Sequence, residues 1–334
     1  MSTTNHVRHL VLGAGAIGSR LTTELAQAGS TVRVVTRSGS GPDHPNVERI
    51  VADVSDRSRL ADIAHGCAVV FNCVNPPYPK WAEQWPPMTD SIIAACEHSG
   101  ARLVTLSNLY GYAADSSPMR ATDELAPPSR KGAIRAATWR AALDAHEAGR
   151  ISMTEVRASD FIGPGVGGNG HVGDRFVPRI LSGKSVSVLG RPDVEHSWTY
   201  VADVVATMIA VACDDRALGR AWHVPTGPPL SFEQLAAELA AVGGTEPVKV
   251  RSLPNALVKA AGILSPLMRE LPEMRYQFDR PFVIDAADTT ETFGIVPTPL
   301  DEQLRATIVS YRSTDQLPTG AAWAARSSSP VSSG

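Results

Sequence analysis

The residues of this chain with the most specific chemistry are three glycines, Gly13, Gly15 and Gly18, spaced GxGxxG in the stretch GAGAIGS. An apolar run, 9–12, precedes them. A helical apolar pattern follows (Ile17, Leu21, Leu25, Ala28) and stops at Gly29. A strand that turns through glycine into a helix offers free backbone N–H groups to a diphosphate, here those of Ala16, Ile17 and Gly18. Gly13 permits the tight turn, Gly15 lets backbone approach the ligand, and Gly18 lets the helix pack closely on the strand. The second strand ends in Thr36 and Arg37, followed by Ser38, with no carboxylate to accept from a ribose 2′-OH or to repel a 2′-phosphate. NADP(H) is therefore favoured, with NAD(H) as the alternative. Asp53, followed by Val54, ends the third strand near where an adenine edge would lie; an acid there also serves simply as a cap.

A second candidate group lies in SRKGAIRAA, 129–137. Lys131 and Arg135 are four apart and share a helix face, with Arg130 as a third cation. Cations in a first turn oppose the helix dipole, at about 0.3–1 kcal/mol each. Crowding would lower the ammonium pKa of Lys131 from about 10.4 and make it a proton donor. Arg135 cannot lose its proton and would clamp a ribose or a carboxylate. The competing reading is a basic surface turn answering Asp123 and Glu124. Tyr110 and Tyr112, past Ser107 and Asn108 at the exit of the fifth strand, offer a phenol as another acid. Three stretches could shape a substrate pocket. The run 75–88, NPPYPKWAEQWPPM, reads as a rigid loop in which Asn75 and Trp81 face substrate, or in which Trp81 and Trp85 anchor the core. The segment from Asp160 and Phe161 through the glycines of 163–173 would bring in Arg175. His196 is either a proton carrier or a residue packed on Trp198.

These groups must be positioned by alternating strands and helices: TVRVVTR, VERIVADV, CAVVFNCVN, RLVTLSN and SMTEVRAS read as strands two to six. Helices are expected over 88–98 and 133–148, each closed by glycine. The pattern predicts an α/β fold, a Rossmann-type doubly wound parallel sheet with a smaller C-terminal α/β substrate lobe. The expected division is a cofactor domain at 7–160, a lobe at 161–312 that returns a helix near 202–214 and a strand near 221–224 to the sheet, and a disordered tail at 313–334. Ser231 and Gln234 form a capping box, and short helices are expected over 253–278. The formal charge of −3 supplies no basic patch for nucleic acid or an anionic membrane. No signal peptide or membrane helix is expected. Four scattered cysteines without CxxC spacing read as buried thiols of a cytoplasmic protein, and no metal site is expected.

GAGAIGS, VVFNCVN, LYGY, RASDFIGPG and HSWTYVADVV occur in an order and spacing that resembles the extended short-chain dehydrogenase/reductases, the NAD-dependent epimerase/dehydratase family. The resemblance spans about residues 8–312. It implies that Asn72, Cys73, Val74 and Asn75 line the cofactor, that the end of the fifth strand supplies a hydroxyl, and that Asp160–Pro164, usually Asn-Val-Tyr-Gly-Pro, lines the substrate. It also implies that Lys131 and Arg135 occupy the positions of the family's catalytic Tyr and of the Lys one turn on, which contacts cofactor. Leu106 stands where a reactive Ser or Thr is usual, with Thr105, Ser107 and Asn108 nearby. The expected function is hydride transfer with a small-molecule metabolite through a non-standard proton donor. The alternatives are an NADP(H)-binding regulatory protein without turnover and a non-redox lyase or cyclase. A homodimer would form through the sheet-flanking helices.

Overall fold

The computed structural model describes residues 7–315. Seven parallel strands form one sheet: β1 (Arg8–Leu12), β2 (Thr31–Thr36), β3 (Val47–Val51), β4 (Val69–Asn72), β5 (Arg102–Ser107), β6 (Met153–Arg157) and, past three strands of the lobe, β10 (Ala221–His223). Their order is β10-β6-β5-β4-β1-β2-β3. The chain thus reverses its direction of winding between β1 and β4, the switch point outside whose carboxyl ends ligands bind in open α/β sheets.

The central strands are apolar on both faces because both are covered. Val11, Val34, Phe71 and Val104 pack on one side with α1 (Ala16–Gln27) and, further along the chain, α6 (Val201–Cys213). Leu10, Leu12, Val70 and Leu103 pack on the other with α2 (Arg57–Ala64), α3 (Trp81–Ser99) and α4 (Arg130–Glu147). The lobe adds β7 (Asp160–Ile162) paired to β9 (Trp198–Tyr200), and β8 (Val186–Val188) paired to β11 (Val250–Ser252). Its helices are α5 (Val177–Leu181), α7 (Phe232–Gly243), α8 (Asn255–Leu264), α9 (Pro266–Met274), α10 (Tyr276–Asp279), α11 (Ala287–Phe293) and α12 (Leu300–Asp315). Its core residues Phe176, Phe232, Leu235 and Phe278 are continuous with the first sheet face. No helix among the described residues is long and apolar enough to cross a membrane.

Several expectations are corrected. The proline-rich run is a loop only to Pro77; a 3-10 turn at Tyr78–Lys80 leads into α3, which begins at Trp81 rather than near Met88. Pro86 and Pro87 each remove a helix donor, but Trp81 and Trp85, four apart on one face and both 1% exposed, fix this turn by packing. Helix α4 starts at Arg130, not Ala133, because the Ser129 hydroxyl accepts from Gly132 N–H. Cys213 is exposed, since it falls at the solvent-side end of α6. Helix α12 continues through Asp315, into the stretch expected as tail; residues 316–334 lie outside those described.

Candidate active site

The glycine turn holds each of its glycines for a different reason. Gly13 has φ +91°, and Gly18 approaches so closely that a Cβ on it would lie 2.0 Å from the Gly13 carbonyl oxygen. A Cβ on Gly15 would meet nothing within 4 Å. Open space therefore lies above Gly15, where α1 begins without a side-chain cap or an acidic residue. The first-turn N–H groups of Ala16, Ile17 and Gly18 have no carbonyl of their own helix to bond. These residues border a cavity of about 310 Å³ that continues past Cys73, Val74 and Asn75 at the end of β4. Asn72 is buried just behind, its Oδ1 accepting from Val74 N–H at 3.3 Å. The space over Gly15, the uncapped helix start and the unpaired Arg135 Nε described below fit a bound dinucleotide.

The far end of the cavity is aromatic. Trp81 donates from Nε1 to the Pro76 carbonyl at 2.7 Å and stacks on Tyr110 at 6.2 Å between centroids. The hydroxyls of Tyr78 and Tyr110 lie 2.6 Å apart. Burial pushes the Tyr78 phenol up to about 12 against the hydrogen bond from Tyr110 and the charge of Arg135, and it raises Tyr110 further. Asn108 Oδ1 accepts from Tyr110 N–H at 3.2 Å and so orients the exit of β5. Arg135 is 5% exposed; its guanidinium lies 4.4 Å over the Trp85 ring, and Nη2 donates to the Leu106 carbonyl at 2.8 Å. Its Nε is buried with no partner. An unsatisfied buried donor on a cation costs about 1–3 kcal/mol or more, a debt that a ligand oxygen would cancel. Burial lowers the Arg135 pKa from its usual value.

Lys131 shares the α4 face with Arg135 but points elsewhere. Its Nζ is held by Glu270 and, at 2.6 Å, by Glu273, both on α9, and lies 5.3 Å from the Tyr78 ring centre. It is 2% exposed and does not line the cavity, so it is not the surface turn answering Asp123 and Glu124. Replacing Lys131 with Met leaves two carboxylates facing each other and is expected to cost about 1–3 kcal/mol in urea unfolding. The loss falls short of a fully buried pair because the carboxylates keep 29% and 32% of their side-chain surface. Cofactor affinity is expected to stay within about twofold. Turnover abolished at unchanged stability would instead make Lys131 the acid.

The structure brings Ser107, Asn108, Tyr110, Arg135, Asn75, Trp81, Asp160 and Phe161 to this cavity together with the glycine turn. Thr36, Arg37, Asp53 and Val54 lie beyond it, at the ends of β2 and β3. Thr36 donates to the Ser40 carbonyl and Arg37 is exposed. Asp53 accepts from the hydroxyl and the N–H of Ser55, which hold its carboxyl below the usual range. Arg175 is exposed and does not line the cavity. Tyr112 does not line it either, because its hydroxyl is consumed elsewhere. Arg157 donates to it at 2.5 Å, it bonds His223 Nε2 at 2.8 Å, and His223 Nδ1 donates to the Asp285 carbonyl. Burial holds His223 at about 4, so the ring stays neutral and can accept. His196 sits behind Asp160, stacked on Phe278 and Phe282. Sequence reasoning missed Tyr78, Ser159, Gln277 and Phe282 on the cavity wall, and Glu270 and Glu273 beside it. Tyr78 carried a signal, as the one phenol in the proline-rich run, and Ser159 stands within RASDFIGPG, a stretch that carries the resemblance.

The family described as NAD dependent epimerase/dehydratase has a model that matches residues 9–224. Among solved structures, MoeE5 in complex with UDP-glucose and NAD is 23% identical with a TM-score of 0.71, covering 92% of this chain and 99% of its own. UDP-glucose 4-epimerase of Thermotoga maritima is 22% identical at 0.75, covering 93% and 100%. An epimerase of Methanothermobacter thermautotrophicus is 18% identical at 0.78, covering 93% and 94%. At these identities the likeness is one of fold. No curated protein matches the chain.

Proposed function

The chain belongs to the NAD dependent epimerase/dehydratase family, and from that premise we propose that it is an oxidoreductase of the short-chain dehydrogenase type. In this reading it exchanges hydride between NADP(H) and a small-molecule metabolite, with a phenol outside the usual helix as proton donor. The observation that carries the reading is one cavity joining the glycine turn to the Tyr78–Tyr110 hydroxyl pair and the Arg135 guanidinium. The nicotinamide, when bound, supplies the hydride chemistry that no side chain offers. The N–H groups of residues 16–18 hold the diphosphate charge, and Arg135 Nε donates to an oxygen of the ligand. Tyr78 gives its proton to the developing alkoxide and Tyr110 steadies the resulting phenolate by donating to it. In the reverse direction Tyr78 takes the proton back. Trp81 and Trp85 close the side of this end and keep water from the phenols.

Arg37 and Ser38 support NADP(H) over NAD(H). Arg37 has no carboxylate within salt-bridge distance among the described residues, and Asp53, whose carboxyl feels the Arg37 charge, is engaged by Ser55. Replacing Arg37 with Ala is expected to weaken NADPH by about 10–100-fold, the worth of charge-assisted hydrogen bonds to a phosphate, and to leave NADH within about twofold. Fluorescence titration of both cofactors checks this, and equal losses would assign NAD(H). A cofactor-binding protein without turnover is the second reading, favoured by the locking of Lys131 between Glu270 and Glu273. Saturable NADPH binding with no NADPH oxidation across a broad panel of carbonyl compounds would select it.

A further inference from the structure

Part of the cavity wall is formed by Ser159, Asp160, Phe161, Gln277 and Phe282, together with Tyr78 and Tyr110. Asp160 keeps 16% of its side-chain surface free, and its Oδ2 accepts from His196 Nε2 at 2.8 Å. Burial pushes its carboxyl up, yet His171 and His196 hold it below its ordinary value. Gln277 is 1% exposed. Its Nε2 donates to the Met274 carbonyl at 3.0 Å, which fixes the orientation of the amide, because the flipped form would set two oxygens against each other. The Oε1 is left buried with no donor. Asp160 and Gln277 therefore give this wall two acceptors, one of them unpaired. Arg135 is the one Lys or Arg side chain among the described residues lining the cavity, and it is tied to Leu106 at the end of β5.

We propose that this wall receives the ammonium group of a small amine, so that the metabolite is an amine or an amino-carbonyl compound and not a nucleoside diphosphate sugar. The proposal rests on the cofactor-dependent reading above and names its substrate class. An ammonium brings three N–H donors to Asp160 and Gln277. The rings lining the same space, Tyr78, Tyr110, Phe161 and Phe282, add cation–π attraction. A diphosphate would bring negative charge to the Asp160 carboxylate with no cation on this wall to receive it, and it would leave Gln277 Oε1 unpaired.

The test is calorimetric titration of the full chain, saturated with NADPH, against benzylamine, benzyl alcohol and benzoate, which share a ring and differ in charge. Benzylamine is expected to bind at least about tenfold more tightly than the alcohol, a difference of about 1.4 kcal/mol, and benzoate not measurably. Asp160→Asn places in this chain the residue usual in the segment it resembles and can still accept from His196, so the fold is kept. It is expected to bring the amine within about threefold of the alcohol. Equal affinity for the three probes, an amine preference unchanged in Asp160→Asn, or UDP-glucose binding more tightly than the amine would overturn the proposal. If NADPH itself does not bind, the cofactor reading fails separately, and the same three probes are titrated against the free chain to decide the amine preference.

Discussion

Replacing Tyr78 with Phe is expected to lower kcat for NADPH-dependent reduction by about 10²–10⁴-fold, the usual worth of a positioned general acid, while NADPH affinity changes by less than about threefold. The ring and its packing survive the change: its edge contact with Trp81, at 5.0 Å between centroids, and the Lys131 ammonium above it do not depend on the hydroxyl. What is lost is the proton and the 2.6 Å bond to Tyr110. Tyr110→Phe is expected to fall short of this effect. Burial raises both phenols, but at Tyr78 the hydrogen bond from Tyr110 and the charge of Arg135 oppose it, whereas Tyr78 raises Tyr110 further. A wild-type kcat in Tyr78→Phe would remove the phenol pair from the mechanism. A larger loss in Tyr110→Phe would exchange the two roles.

Gly18→Ala and Gly15→Ala are expected to fail in different ways. The Cβ of the first would lie 2.0 Å from the Gly13 carbonyl oxygen, backbone of a turn already at φ +91°. Helix α1 would have to move off the sheet. The free protein should lose about 1–3 kcal/mol or more, the cost of overpacking, and NADPH affinity should fall about 100-fold or more, equivalent to about 2.7 kcal/mol. Gly15 has φ −75° and open space at its Cβ, so Ala is tolerated in the free protein, and its unfolding temperature should move little. The methyl group nevertheless occupies the approach to the diphosphate, and NADPH affinity should fall about tenfold or more. Thermal unfolding with and without NADPH separates the two. Gly15→Ala with full affinity would show that the turn does not receive the phosphates.

The sheet and the glycine turn were legible in the sequence because both are local. Strands buried on two faces read as continuous apolar runs, and Gly13, Gly15 and Gly18 lie within six residues of one another. Helix α2 escaped because it is only eight residues long and half of them are polar, with only Leu60, Ile63 and Ala64 buried. Its one signal is Asp56, whose side chain caps Arg59 N–H. The true start of α3 escaped because prolines argue against helix, and only the tertiary packing of Trp81 and Trp85 overrides them. Within the site, the cationic pair on α4 was read correctly as sharing a face, but the partners that decide what each does are distant in the chain. Lys131 meets carboxylates 139 and 142 residues away, and Tyr112 meets His223 across 111 residues. No local pattern announces such pairings. The Tyr78–Tyr110 contact, across 32 residues, likewise depends on the sheet bringing the exits of β4 and β5 side by side.

A crystal structure of the chain grown with NADPH measures directly where the dinucleotide settles. It is expected to place the diphosphate on the N–H groups of Ala16, Ile17 and Gly18, the 2′-phosphate at Arg37, and the nicotinamide ring in the cavity with Tyr78, Tyr110 and Arg135. An empty glycine turn at saturating NADPH, or a nicotinamide ring lying outside the reach of the two phenols, would contradict the proposed function.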